Sequence, residues 1–342
     1  MKHDILPSPR INWIDSMRGI FIFLVILYHS GAPIEYVKFR TPFVMSGFFF
    51  LSGYLFYAPE KPWDWRYKLI RIAESLLLPY LLYWTLTYFV KAAYYEVYLQ
   101  GNWDIFVPYF RELLSGSKLW FMSAIIVGEI ILTGILSVSK NSVYLAGMAV
   151  LLSFLWWLTP LSVSGAWWPW ALPSACIAVC FMLVGVIVRT NNLLACLERR
   201  RCTIVVLLAY PLLYVLDLVF NLNQISFARS YFSNLPVFYL YALCGIAFIY
   251  CLCRFLSSSI PLHYMGRNSL LMYFFCNQVI LLIARLTDNG WGLSPYVWSI
   301  AAACAACGLL VLPIEVAKRW MPWMAGKCRV LSRVYKESRN QQ

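Results

Sequence analysis

The longest part of this chain without Asp, Glu, Lys or Arg runs from residue 141 to residue 188 and is 48 residues long. A helix that crosses a bilayer needs about 20 mostly apolar residues, so this run predicts two crossings. The segment 159–165, which contains Pro160 and Gly165, predicts the turn between them. Shorter uncharged runs cover 19–34, 41–59, 75–90, 230–253, 268–284 and 289–314.

Membrane burial also accounts for the composition, since 61% of the residues are hydrophobic and only 13% are charged. Soluble domains are about 25% charged, so a water-soluble globule, a disordered chain and a nucleic-acid binder are excluded. Two further apolar stretches, 119–139 and 203–222, contain one acid each, Glu129 and Asp217. The predicted fold class is therefore all-α, a polytopic membrane protein with about ten transmembrane helices, near 16–37, 42–59, 75–98, 119–138, 143–160, 170–189, 203–222, 234–255, 268–287 and 294–316.

The basic residues predict the orientation of these helices. Ten crossings place both termini on one side, and that side carries 21 of the 28 Lys and Arg residues. Because cytoplasmic loops are enriched in Lys and Arg, we expect both termini to be cytoplasmic. The same enrichment explains the net charge of +13 without any nucleic-acid partner. We expect one domain over residues 1–342, with a helical core at 11–316 and a basic cytoplasmic tail at 317–342.

The first helix carries three ionisable residues, Asp15, Arg18 and His29. Eleven residues separate Arg18 from His29, which is about three helical turns and a rise of about 16.5 Å. The two side chains therefore share one face, and Asp15 lies one turn earlier on it. Ionisable residues inside a bilayer are costly and mark functional sites, which predicts a polar stripe leading to a histidine near mid-membrane. The alternative is an interfacial Asp15–Arg18 pair with His29 as a packing residue.

A basic turn follows the second helix and contains Arg66, Lys68 and Arg71, ahead of Pro79. Anionic lipid headgroups or a phosphate-bearing substrate would each explain such a turn. Pro79 is expected to open or kink the third helix, because proline has no N–H to donate.

Further polar or aromatic candidates lie in other helices. They are Ser52 in the second helix, Trp120 and Glu129 in the fourth, and Asn277 in the ninth. A buried carboxylate could orient His29, but Glu129, Asp217 and Glu315 cannot be distinguished by sequence. The cysteines lie mostly in apolar helices, where they act as small hydrophobic residues, and no metal site is expected.

Several of these segments together resemble the integral-membrane acyltransferase family usually called acyltransferase 3. The matching residues are Asp15 with Arg18-x10-His29, the run from Phe48 to Gly53, Lys68-x-x-Arg71 before Pro79, Leu119-Trp120-Phe121, and Gly266-Arg267-Asn268-Ser269-Leu270. The likeness extends from the first helix to the ninth. Many relatives have histidine at the position of Asn277.

The resemblance implies an enzyme that moves an acyl group, acetyl ahead of succinyl, from cytosolic acyl-CoA to a hydroxyl of an envelope glycan or lipid-linked sugar. No permanently bound cofactor is implied, and the location would be the bacterial cytoplasmic membrane. Arg18, Arg66, Lys68 and Arg71 would then hold the CoA phosphates. His29 would be the general base, a task that suits imidazole near neutral pH, and Arg18 and Asp15 would be further catalytic residues on the same helix face.

Two alternatives remain open within this reading. An acyl-histidine intermediate could replace direct transfer, and Trp120 or Asn277 could donate a hydrogen bond to the developing oxyanion. The competing function is a proton-coupled transporter or flippase, because His29, Glu129, Asp217 and Arg285 could also line a proton pathway.

Overall fold

Helices dominate the computed structural model, which describes residues 11–98, 106–116, 119–158, 168–256, 258–287, 292–327 and 329–340. The helices are α1 (Asn12–His29), α2 (Ile34–Phe56), α3 (Trp65–Ile72), α4 (Leu78–Tyr98), α5 (Phe106–Ser115), α6 (Trp120–Val138), α7 (Ser142–Leu158), α8 (Leu172–Thr190), α9 (Leu194–Leu197), α10 (Arg200–Phe220), α11 (Leu235–Phe255), α12 (Ile260–Arg267), α13 (Ser269–Leu286), α14 (Pro295–Leu309), α15 (Val311–Trp320) and α16 (Val330–Asn340). A π-helical turn spans Ala73–Leu77, and 3-10 turns span Pro169–Ala171, Phe227–Arg229 and Pro322–Ala325. One hairpin pairs β1 (Ile225–Ser226) with β2 (Tyr231–Phe232), Ile225 opposite Phe232.

Each of the ten predicted transmembrane segments overlaps a helix. Within the described ranges, seven helical segments are long and apolar enough to cross a membrane: Trp65–Val90, Arg111–Val138, Pro169–Thr190, Arg200–Phe220, Leu235–Phe255, Ser269–Leu286 and Pro295–Trp320. The apolar helix α7 is shorter, and α1 and α2 are interrupted by charged residues. An all-α membrane protein is therefore confirmed, whereas the number of ten crossings stays a prediction. The predicted turn at 159–165 lies outside the described residues.

The first two helices differ from the predicted boundaries. We expected one helix over 16–37 with Lys38 and Arg40 in the following loop, but α1 ends at His29 and α2 begins at Ile34. Gly31 has a φ of +78°, and Pro33 stands at the N-cap of α2. The left-handed backbone conformation of Gly31 allows the chain to reverse direction here. Helix α2 therefore begins earlier than predicted, and Lys38 and Arg40 lie within its first two turns.

Helix α1 lies at the centre of the bundle, in contact with α2, α11, α12, α13 and α14. Its closest crossing is with α12, where Gly266 packs against the backbone of Asp15. A Cβ atom at Gly266 would lie 1.9 Å from the carbonyl oxygen of Asp15, which leaves space for glycine alone. This contact brings the start of α1 beside the cationic end of α12.

Replacing Gly266 with alanine should destabilise the protein by about 1–3 kcal/mol, because one of the two backbones must move to admit the methyl group. Thermal unfolding in detergent measures the effect. Gly134→Ala is the matched control, since a Cβ atom there meets nothing within 4 Å. Equal melting temperatures for the two variants would contradict the close packing of α1 on α12.

The helix around Pro79 widens, in agreement with the expected opening. Pro79 has no N–H to donate to the carbonyl of Ser75, four residues earlier, and the chain forms the π-turn Ala73–Leu77 there. Gly326, at a φ of +65°, packs against that carbonyl, and a Cβ atom on it would lie 2.7 Å from the oxygen. The widened turn thus contacts the chain that follows α15.

The basic tail predicted at 317–342 is folded over most of its length. Helix α15 continues to Trp320, and α16 is held by the buried carboxylate of Glu74. This carboxylate accepts hydrogen bonds from the backbone N–H groups of Leu331 (2.6 Å) and Ser332 (3.2 Å), which caps the N-terminal turn of α16. Near the other end of α16, Arg339 pairs with Asp64. The C-terminal part of the tail is therefore the helix α16, which packs against the segment that carries Asp64 and Glu74.

Candidate active site

A cavity of about 1080 Å³ opens at the end of the bundle where α1 begins. We call it the basic vestibule, because six of its described lining residues are cations and two are carboxylates. These residues are Arg18, Lys61, Arg189, Arg267, Lys318 and Lys327, with Asp15 and Glu60. The excess of positive charge suits the vestibule to an anionic ligand.

Ion pairs hold much of the vestibule wall in place. Asp15 accepts from Nε of Arg267 at 2.9 Å, which fastens α1 to α12. Arg189 reaches Glu60 at 3.2 Å and also donates to the carbonyl of Tyr54 at 3.0 Å. Both of these arginines keep further N–H donors for a ligand, because a guanidinium has five.

Tyr264 and Lys318 also line the vestibule and form a hydrogen-bonded triad with Glu315. The Glu315 carboxylate accepts from the Tyr264 hydroxyl and from Nζ of Lys318, each at 2.7 Å. Burial raises the pKa of the Tyr264 phenol, and its hydrogen bond to Glu315 raises that pKa further. Tyr264 therefore stays neutral and donates to the carboxylate at physiological pH.

A second, inner pocket of about 180 Å³ lies deeper between the helices. Arg18 lines both the inner pocket and the basic vestibule, so its side chain stands at their junction. From Arg18 the pocket follows α1 through Ile22 and Val25, which are the next residues on the same face. His29 is the next residue on that face, one turn beyond Val25, in agreement with the predicted phase.

Two polar side chains meet across the inner pocket. Ser52 of α2 donates a hydrogen bond to the Glu129 carboxylate of α6 at 2.6 Å, and both residues line the pocket with Arg18. These three predicted site residues come from three different helices, α1, α2 and α6. The pocket therefore has a carboxylate, a hydroxyl and a cation within a mostly apolar lining.

His29 is the last residue of α1 and is exposed, rather than lying within a longer helix as the sequence predicted. Its imidazole packs edge-on against Tyr28, with ring centroids 5.2 Å apart. Asp15 lies about 21 Å away along α1 and bonds to Arg267, so it does not contact His29. The end of the bundle that carries His29 is the one opposite the basic vestibule.

The predicted phosphate-binding residues of the basic turn lie outside the vestibule. Arg66 lines a separate groove beside α16, and Lys68 donates to the carbonyl of Phe56. Arg71 pairs with Glu74 at 3.4 Å. None of these three cations belongs to the described lining of the vestibule, whereas Arg18 does. Lys68 and Arg71 are nevertheless close enough to Glu129 of the inner pocket to act on it electrostatically.

The two oxyanion candidates also lie apart from the inner pocket lining. Trp120 stacks on Phe227 with an interplanar angle of 14°, and Asn277 is exposed. The side-chain amide of the neighbouring Gln278 is hydrogen-bonded to the Tyr83 hydroxyl at 2.6 Å. In the described ranges, no group of three His, Cys, Asp or Glu residues could hold a metal ion.

Sequence reasoning missed the vestibule cations other than Arg18. The motif Gly266–Leu270 contains Arg267 but gives it no role, and nothing in the sequence around Lys61 or Arg189 distinguishes them from other cations outside the apolar runs. Their proximity depends on α8, α12, α15 and the segments that carry Lys61 and Lys327 meeting at one end of the bundle. No spacing along the chain could have revealed it.

A comparison with protein families gives a match to one described as an acyltransferase domain, over residues 11–314. No match was found among curated proteins or among solved structures. The matched region includes α1, the described lining of the inner pocket, that of the vestibule except for Lys318 and Lys327, and nearly all of the apolar helices. The chain therefore belongs to the acyltransferase 3 family and is a membrane acyltransferase.

Proposed function

We propose that this protein transfers a short acyl group, acetyl ahead of succinyl, from acyl-CoA to a hydroxyl of an envelope glycan or lipid-linked sugar. The observation that carries the proposal is the position of Arg18. It joins a wide cationic vestibule to a narrow pocket that follows α1 towards His29. This arrangement matches the shape of acyl-CoA, which has a bulky anionic nucleotide and a thin pantetheine arm.

The nucleotide phosphates bind the basic vestibule in this proposal. Arg18, Arg189 and Arg267 present guanidinium groups, which bind phosphate oxygens in pairs. Arg66, Lys68 and Arg71 do not line the vestibule, so their contact with the donor is a separate proposal, supported for Lys68 and Arg71 by their closeness to Glu129 of the inner pocket. The pantetheine arm enters the inner pocket past Arg18 and extends along the α1 face, where about 16.5 Å separates Arg18 from His29.

His29 then acts as the general base at the far end of α1. It accepts the proton of an acceptor hydroxyl while the hydroxyl oxygen attacks the thioester carbonyl carbon. The bond between that carbon and sulfur breaks, and the CoA thiolate takes up the proton. The products are the O-acyl ester and free CoA, so atoms and charges balance without a metal or a redox partner.

Sidedness follows from the same arrangement. CoA is cytosolic, so the vestibule and the folded tail face the cytoplasm, and the His29 end faces the opposite side, where envelope glycans are presented. This agrees with the excess of Lys and Arg expected on cytoplasmic segments. We place the protein in the cytoplasmic membrane of a bacterium.

The test is acyl-CoA turnover by the purified protein in lipid nanodiscs. Acetyl-CoA and succinyl-CoA, each labelled in the acyl group, are supplied with glycans from the producing cells after mild alkaline removal of their O-acyl esters. We expect release of free CoA thiol and alkali-labile label on the glycan. An intact thioester with both donors would contradict the proposal and favour a transporter.

A further inference from the structure

An arginine lies beside His29 at the end of the bundle opposite the vestibule. Arg40 of α2 is 7% exposed, and its guanidinium carbon lies 4.0 Å above the Tyr28 ring. That ring in turn contacts the His29 imidazole, with centroids 5.2 Å apart. The guanidinium is close enough to His29 to act on it electrostatically. Arg40 therefore belongs to the surroundings of the proposed base.

The Arg40 side chain has no acidic partner within the described ranges. Its Nε atom is enclosed by protein and makes no hydrogen bond there. Nearby polar groups are engaged elsewhere: Lys38 donates to Oδ1 of Asn221 at 2.9 Å, and the Glu35 carboxylate accepts from Tyr296 at 3.1 Å. Burying a charge without a partner is costly. Stacking on Tyr28 gives the planar face of the guanidinium a favourable contact, but it provides no acceptor for the N–H groups at the edge of that plane.

We propose that Arg40 binds an anionic group of the acceptor, so that the acceptor is an acidic sugar rather than a neutral one. A planar guanidinium binds carboxylate and phosphate groups through two parallel hydrogen bonds. An acceptor held in this way presents a neighbouring hydroxyl to His29, and the exposed Tyr28 ring lies between the two contacts. The inference rests on the proposed function and narrows its substrate class to carboxylate- or phosphate-bearing glycans.

The test uses the same nanodiscs, labelled donors and de-O-acylated glycans, with the glycans first separated into acidic and neutral fractions by anion exchange. We expect the wild-type protein to label the acidic fraction. Arg40→Gln should lower the rate on that fraction by about 10- to 100-fold, the range for a lost hydrogen bond to a charged group. Its KM for acyl-CoA should stay within about twofold of wild type, because Arg40 lies at the end of the bundle opposite the vestibule.

Two variants serve as controls. Arg40→Lys retains the charge and should keep part of the activity on acidic glycans. Lys38→Gln removes the same charge from the same helix at a residue with partners inside the protein, and should behave as wild type. Reduction of glycan carboxyl groups before the assay, or phosphatase treatment, shows which anion is recognised.

The outcomes separate the two proposals. Label on the neutral fraction, or an unchanged rate on acidic glycans with Arg40→Gln, would overturn the role of Arg40 while leaving the acyltransferase mechanism intact. A wild-type protein that consumes neither donor would overturn the proposed function itself, and with it the acceptor assignment.

Discussion

Replacing His29 with alanine should abolish acyl transfer to glycan while the protein still inserts and accumulates in the membrane. General acid–base catalysis contributes about 10²–10⁴-fold to rates, and loss of that contribution takes turnover to or below background. His29 is exposed at the end of α1, so its removal leaves no cavity in the core. The measurement is alkali-labile label on glycan, together with the melting temperature of the purified variant.

One further variant and a chemical rescue experiment separate proton transfer from packing. His29→Asn keeps a polar side chain without a group that titrates near neutral pH, and should be as inactive as His29→Ala. Added imidazole should restore part of the activity to His29→Ala, because a free base can enter an exposed site. A normally folded His29→Ala protein with wild-type turnover would refute the assignment.

Replacing Arg18 with glutamine should lower kcat/KM for acyl-CoA by about 10- to 100-fold, because a charge-assisted contact to the donor is lost. Arg18 stands where the vestibule meets the inner pocket, so the effect should fall on donor use. The KM for the glycan acceptor should change little. Steady-state kinetics with each substrate varied in turn measure both quantities.

A truncated donor sharpens this prediction. S-acetylpantetheine lacks the nucleotide and its phosphates, so Arg18→Gln should affect its turnover less than that of acetyl-CoA. Arg285→Gln is the matched control, because it removes an arginine charge from an exposed position near the C-terminal end of α13. An equal loss for donor and acceptor would indicate that Arg18 has a structural role.

The helical architecture could be predicted from the sequence to a large extent. Uncharged runs placed eight of the ten helices and apolar stretches with a single acid placed the other two, because burial in a bilayer limits charge over a defined length. The boundaries near His29 were wrong by several residues. Gly31 and Pro33 reverse the chain there. A hydropathy profile does not show this turn, because most of its residues are small and apolar.

The site was predicted in part. Helical phase placed Arg18 and His29 on one face, and Ser52 and Glu129 were already candidates before their hydrogen bond was seen. Of the three acids, Glu129 lines the inner pocket. Asp217 instead accepts a hydrogen bond from the backbone N–H of Asn223, and Glu315 accepts one from the Tyr264 hydroxyl. Sequence alone could not distinguish the three acids, because each partner lies on a different segment.

The sequence by itself determined the membrane location, the approximate helix positions and the shared face of Arg18 and His29, since all of these depend on local composition and on the 3.6-residue period. The tertiary structure decided which cations surround Arg18, that Asp15 binds Arg267, and that Arg40 lies beside His29. The physical reason is that these contacts depend on how helices cross. The crossings are set by close backbone packing between residues distant in the chain, as where Gly266 meets Asp15.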